Sequence, residues 1–118
     1  MVLNIKKESF GAWILVTLEG SLDAMTAPQF DQEVFPEVEK RLDIALDVSK
    51  LQYISSMGLR SLSRLAKKTG EVYHHVAICG MTGEVKNVIT SSKVDAFLEV
   101  YEKLGDLPFT VEIPVTDR

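Results

Sequence analysis

A chain of 118 residues fits one domain, 1–118, and its 46% hydrophobic and 25% charged residues are an ordinary globular balance. The net charge of -4 leaves no global basic field to draw the chain to nucleic acid or an anionic membrane, and the one cysteine, Cys79, excludes an internal disulfide. No apolar run reaches the roughly 18–20 residues of a membrane span, and "MVLNIKKESFGAW" lacks the apolar stretch of a signal peptide, so a cytoplasmic protein without membrane insertion is expected.

Residues 2–8 alternate through Val2, Leu3 and Ile5, and "AWILVTLE" (12–19) is strand-like, so a hairpin around Gly11 is expected. "GSLDAMTAP" breaks that pattern. Thr26 is a candidate helix N-cap, and Pro28 suits a first turn. Phe30, Val34, Val38 and Leu42 recur every four residues as an apolar helical stripe, which Pro36 should kink or interrupt. "DIALDVS" reads as a buried strand from Asp43 that ends near Ser49, with "KLQYI" crossing over to the next element. Leu59, Leu62, Leu65 and Ala66 mark a helix that starts around Ser56–Gly58 and ends near Gly70, a C-cap candidate. "VYHHVAIC" reads as a strand closed by Gly80, with His74 and His75 on it. Thr82 is the N-cap candidate of a helix carrying Val85, Val88 and Ile89. "AFLEVYEKL" fits either a short strand with a turn or a helix. "PFTVEIPV" reads as an edge strand, because its prolines would block central pairing. The order β-β-α-β-α-β-α-β predicts an α/β fold whose later strands are largely parallel.

Little of the usual catalytic chemistry is present. A catalytic serine needs a base and a group to orient it, yet there is no G-x-S-x-G elbow. His74, His75 and Cys79 lack metal-ligand spacing, and "GMTGEVK" lacks the phosphate-loop spacing, so it reads as a turn and cap. Asp23 and Asp47 follow or end apolar strands, where aspartate caps turns. No cofactor or metal is expected.

The junction in "LDVSKLQYISSMGLRSL" (46–62) remains. Ser55, Ser56 and Gly58 sit where a strand gives way to a helix whose N-terminus presents free N–H groups and partial positive charge. A serine there serves as a plain N-cap or as a phosphate acceptor. A phosphoserine would bring about -1.5 to -2 charges to N–H groups able to receive it. Arg60, Arg64 and Lys68 follow at i, i+4 and i+8, either a basic binding stripe or a solvated face. Met57 is either a contact residue or core.

"LDVSKLQYISSMGLRSL" resembles the signature of the STAS domain (sulfate transporter and anti-sigma antagonist) in its stand-alone bacterial form, the anti-sigma factor antagonists. "LEGSLDAMTAPQF" and "VAICGMTGEVKNVITSSKVDAFLEVY" are similar to further parts of that family, so the resemblance spans nearly the whole chain. It implies a single STAS domain with a mixed sheet of four to five strands and helices mainly on one face. It also implies a non-enzymatic role in partner switching. The unphosphorylated antagonist binds an anti-sigma factor with serine kinase activity and frees a sigma factor. Phosphorylation releases the antagonist, and a phosphatase resets it. ATP and magnesium belong to the kinase. The family's acceptor lies two residues before the motif glycine, which carries over to Ser56 before Gly58. Asp23, Ser55, Met57, Gly58, Leu59 and Arg60 join Ser56 as the implied partner-binding residues. Ser55 stands where the family usually has aspartate, and Met57 where it has a small residue. The alternative is a STAS scaffold that is never phosphorylated, a subunit of a signalling or lipid-transport assembly.

Overall fold

A computed structural model describes residues 2–108. Strands β1 (Leu3–Phe10) and β2 (Trp13–Leu22) form the expected hairpin, with Gly11 at φ 60° in the turn. The chain continues through α1 (Ala27–Val34), β3 (Asp43–Ile54), α2 (Ser56–Glu71), β4 (Val76–Cys79), α3 (Gly83–Ser92) and β5 (Glu99–Tyr101). The five strands lie in sequence order. β1 is antiparallel to β2, and β2 to β5 run parallel. The expected mixed α/β sheet is therefore present. Among the described residues, no helix is long and apolar enough to cross a membrane.

Alternation divides the sheet into two unequal faces. One carries Val16, Leu18, Ile44, Leu46, Val48 and Ile78, which pack with Phe30 and Val34 of α1, Leu62 and Leu65 of α2, and Val85 and Ile89 of α3. The other carries Trp13, Leu15, Ala45 and Ala77 under Leu107. Helices on one face, as expected, follow from where the large aliphatics lie. The small Ala45 and Ala77 leave room for the short segment after β5, and the Trp13 indole N–H donates to the Pro108 carbonyl at 2.6 Å.

Several elements differ from expectation. "KLQYI" is not a crossover but the second half of β3. Lys50, Leu51, Tyr53 and Ile54 pair with Glu19, Gly20, Ser21 and Leu22 across two register shifts, which break the period of two that marks a strand. The apolar stripe of α1 stops at Val34. Pro36 sits in a 3-10 turn, Phe35–Lys40, so Val38 stays buried while Leu42 is exposed. α2 ends in a left-handed residue, but that residue is Tyr73 at φ 65°, three beyond Gly70. His74 and His75 precede β4 rather than lying on it. "AFLEVYEKL" resolves into a 3-10 turn, the short β5 and a further turn. The expected edge strand "PFTVEIPV" lies outside the described residues, apart from Pro108.

One charged group sits inside. Glu37 is buried beside the β1–α1 seam, 3.0 Å from both Lys7 and Lys40. Burial alone would raise its pKa. The hydrogen bonds and charges of Lys40 and Lys7 outweigh burial and hold the carboxyl below the usual glutamate value. Glu37→Gln is expected to lower stability at neutral pH by about 1–2 kcal/mol, less than for a fully buried pair because both lysines are partly in water. A depressed folded pKa means this contribution is full above the ordinary glutamate pKa and is lost as pH falls through the folded value. Urea melts of the two proteins should therefore differ at pH 7 and converge under acid conditions.

Candidate functional site

The site is built where β2 and β3 run on past β4. β4 pairs with β3 only as far as Asp47, so from Lys50 to Ile54 the partner of β3 is β2 alone. After β2 the chain turns at Asp23. Its carboxylate accepts the N–H groups of Met25 and Thr26 at 3.0 and 3.1 Å. Thr26 occupies the N-cap position of α1 but makes no side-chain cap bond. Its hydroxyl instead donates to the Ser21 carbonyl at 2.8 Å and accepts the Asp23 N–H at 2.9 Å. Asp23 thus fixes a turn, the role that its place after an apolar strand indicates.

After β3 the chain enters α2 within two residues. The Ser55 N–H donates to the Leu22 carbonyl at 3.0 Å, and the Ser55 carbonyl accepts the first helical N–H, from Leu59, at 2.9 Å. Ser55 holds the N-cap position in an extended conformation, yet its hydroxyl makes no cap bond. That oxygen is buried without a partner among the described residues. Ser56 is the first residue of α2 and is exposed, as are Met57 and Arg60. Leu59 is half-buried against the core.

Gly58 is buried, and the reason is contact rather than turning. A Cβ there would stand 2.5 Å from the Leu22 carbonyl oxygen and 2.8 Å from Ile54 Cγ1. The first turn of α2 therefore lies directly on the ends of β2 and β3. The N–H groups of Ser56, Met57 and Gly58 precede the first intrahelical bond and carry the positive end of a 16-residue helix. No acidic residue lies in that turn.

Exposed apolar side chains lie on each of the segments that meet at this junction. Met57 and Tyr53 are exposed, and Met25, in the Asp23 turn, is 84% exposed. Met25 and Tyr53 escaped sequence reasoning. The signal for Tyr53 lay in recognising "KLQYI" as strand. The basic stripe is broken: Arg64 pairs with Asp31 at 3.1 Å and stacks over the Phe35 ring at 5.1 Å, which leaves Arg60 as the stripe's exposed cation beside the serines.

The other candidate chemistries lie elsewhere. His74 and His75 reach Asp43 and Glu99, each at 3.1 Å, at the beginnings of β3 and β5. Ser56 follows the far end of the 12-residue β3. At about 3.3 Å per residue that is roughly 30 Å or more, so neither imidazole can take a proton from Ser56. Cys79 is fully buried, and burial, with the Asp47 charge second, pushes its thiol up to about 11. Among the described residues, no group of three or more His, Cys, Asp or Glu could hold a metal ion.

Three substitutions separate contact from capping. Gly58→Ala is expected to cost about 2–3 kcal/mol, because the added carbon meets a buried backbone carbonyl. Gly70→Ala, with open space at its Cβ position, should gain about 0.5–1 kcal/mol. Ser55→Ala should cost well under the usual ~1 kcal/mol of a lost N-cap, since no cap bond is there to lose. Thermal and urea unfolding of the three variants measures all of these.

Comparison with known proteins places this geometry. The STAS domain profile matches residues 4–107. The "Putative anti-sigma factor antagonist BtrV" of Bordetella bronchiseptica is 25% identical over 100 residues, 84% of each chain. An anti-sigma factor antagonist from Mycobacterium paratuberculosis superposes with a TM-score of 0.81 at 21% identity, over 89% of this chain and 90% of that one. The unphosphorylated anti-sigma factor antagonist SpoIIAA superposes at 0.68 and 13% identity, over 89% and 92% of the two chains. Its Bacillus counterpart in the phosphorylated form superposes at 0.64 and 12% identity, over 85% and 91%. By the profile match across nearly its whole described length, this chain belongs to the STAS domain family.

Proposed function

We propose that this chain is an anti-sigma factor antagonist, switched by phosphorylation at Ser56. Unphosphorylated, it binds an anti-sigma factor serine kinase and thereby frees a sigma factor. Phosphorylated, it lets go until a phosphatase removes the phosphate. The chain is a substrate and a binding module here, not an enzyme.

The observation that carries this reading is the placement of Ser56. Its hydroxyl is exposed on the first residue of a helix whose opening N–H groups have no intrahelical acceptor. A phosphate there adds charge at the one end of the helix that stabilises it, typically by about 0.3–1 kcal/mol at exposed sites. The fold tolerates the modification. The surrounding Met25, Tyr53 and Met57 do not remain an apolar contact surface once a doubly charged group stands among them. Arg60 lies one helical turn on and supplies a cation that either a partner's acid or the phosphate can engage. Asp23 holds the Met25 turn, and Gly58 and Leu59 seat the helix, so their part in binding runs through position.

Incubation with the cognate kinase and ATP, followed by mass spectrometry, is expected to place phosphate on Ser56 and to find none on Ser56→Ala. Ser56→Asp is expected to weaken kinase binding at least tenfold by calorimetry while leaving the melting temperature nearly unchanged. A chain that binds its partner equally well in the Ser56, Ala and Asp forms is a phosphorylation-independent STAS scaffold instead.

A further inference from the structure

α2 carries its charges unevenly. Arg60, Arg64, Lys67 and Lys68 are exposed along it, and its one acid, Glu71, is the last residue. Arg60 is the cation of α2 nearest to Ser56 in the chain. Neighbours on a helix surface stand three or four residues apart. Those of Arg60 are Ser56, Met57, Ser63 and Arg64, and none of them offers a carboxylate. Among the described residues the Arg60 side chain makes no ion pair and no hydrogen bond. Arg64 is held differently. Its guanidinium is committed to Asp31 at 3.1 Å and to the Phe35 ring at 5.1 Å, which ties it to α1.

Helical geometry aims Arg60 at Ser56. Every Cα–Cβ bond tilts toward the helix N-terminus, so a residue covers the turn before its own. Four residues place the two Cβ atoms about 5–6 Å apart, within the reach of an arginine. An anion four residues N-terminal to a cation is also the favourable order. A planar guanidinium can take two phosphate oxygens at once, which an ammonium cannot. One acid leaves the sheet beside this junction. Asp23 follows Leu22 as Ser55 follows Ile54, and Leu22 and Ile54 are paired. The Asp23 Oδ1 accepts the Met25 and Thr26 N–H groups, which holds that carboxylate in its own turn.

We propose that Arg60 is the clamp of a phosphate on Ser56: its guanidinium, unpaired in the unphosphorylated chain, reaches back one helical turn and binds the phosphate once it is attached. The proposal rests on Ser56 as the acceptor and assigns what the modified side chain does. Two changes then reach a partner together. A charged group appears beside Met57, and the one cation in the first two turns of α2 is taken up. The phosphorylated chain has lost the cation that an acidic group of the partner would use.

Phosphoserine encoded at position 56 supplies the modified chain without a kinase. Its second phosphate ionisation, ordinarily near pH ~6, is followed by phosphorus NMR. The clamp favours the doubly charged phosphate, so Arg60→Gln should raise the midpoint, by about 0.3 pH unit for one ion pair at this spacing. Arg60→Lys should fall between the two. Arg64→Gln should leave the midpoint where it was, since that guanidinium serves Asp31. Without phosphate, Arg60→Gln should melt as the unaltered chain does, because the side chain has no partner to lose. Identical midpoints with and without Arg60→Gln overturn the clamp. So does an equal shift from Arg64→Gln, which marks a general field, or a lower melting temperature of unphosphorylated Arg60→Gln, which marks a structural role. These failures leave Ser56 as the acceptor. Phosphate mapped elsewhere by the kinase experiment fails the acceptor reading instead, while the encoded phosphoserine still titrates against Arg60.

Discussion

The fit between the first turn of α2 and the end of β2 governs the arrangement of the site. The Leu22 carbonyl accepts the Ser55 N–H and leaves no room for a side chain at position 58. Leu22 is itself fully buried, so it cannot give way. With this contact fixed, helical geometry does the rest. Successive residues on a helix point about 100° apart. Gly58 faces the sheet, Ser55 turns its oxygen inward, and Ser56 and Met57 emerge into water. The division of labour between two adjacent serines is a consequence of packing rather than of any difference between their side chains.

The same contact means that the proposed modification at Ser56 would leave the domain folded. Small domains are stable by about 5–15 kcal/mol in total. A charged group introduced into the core would draw heavily on that margin. At the exposed start of α2 it draws on none of it, because the helix is held by Leu62 and Leu65 in the core and by Gly58 under the strand ends. The exposed apolar side chains Met25, Tyr53 and Met57 come from three separate elements: the Asp23 turn, the last residues of β3 and the start of α2. A partner that touched all three would sense the proposed phosphate at Ser56.

The sequence showed the regular parts of this arrangement plainly. The β1–β2 hairpin, the three helices and the buried centre of β3 follow from periodicity and from Gly11, since alternation and helical stripes survive wherever packing is regular. The strand-to-helix junction was legible too, with the helix starting at Ser56. What stayed hidden was irregular. Two register shifts disguised Lys50–Ile54 as a loop, and Tyr53 with it. Leu42 matched a stripe that a 3-10 turn had already ended. Thr26 and Ser55 hold the N-cap positions as expected, but neither hydroxyl makes a cap bond, because a hydroxyl's partner depends on tertiary contacts such as Thr26 with the Ser21 carbonyl. The role of Gly58 was likewise invisible, since close approach of a remote carbonyl leaves no mark on local sequence.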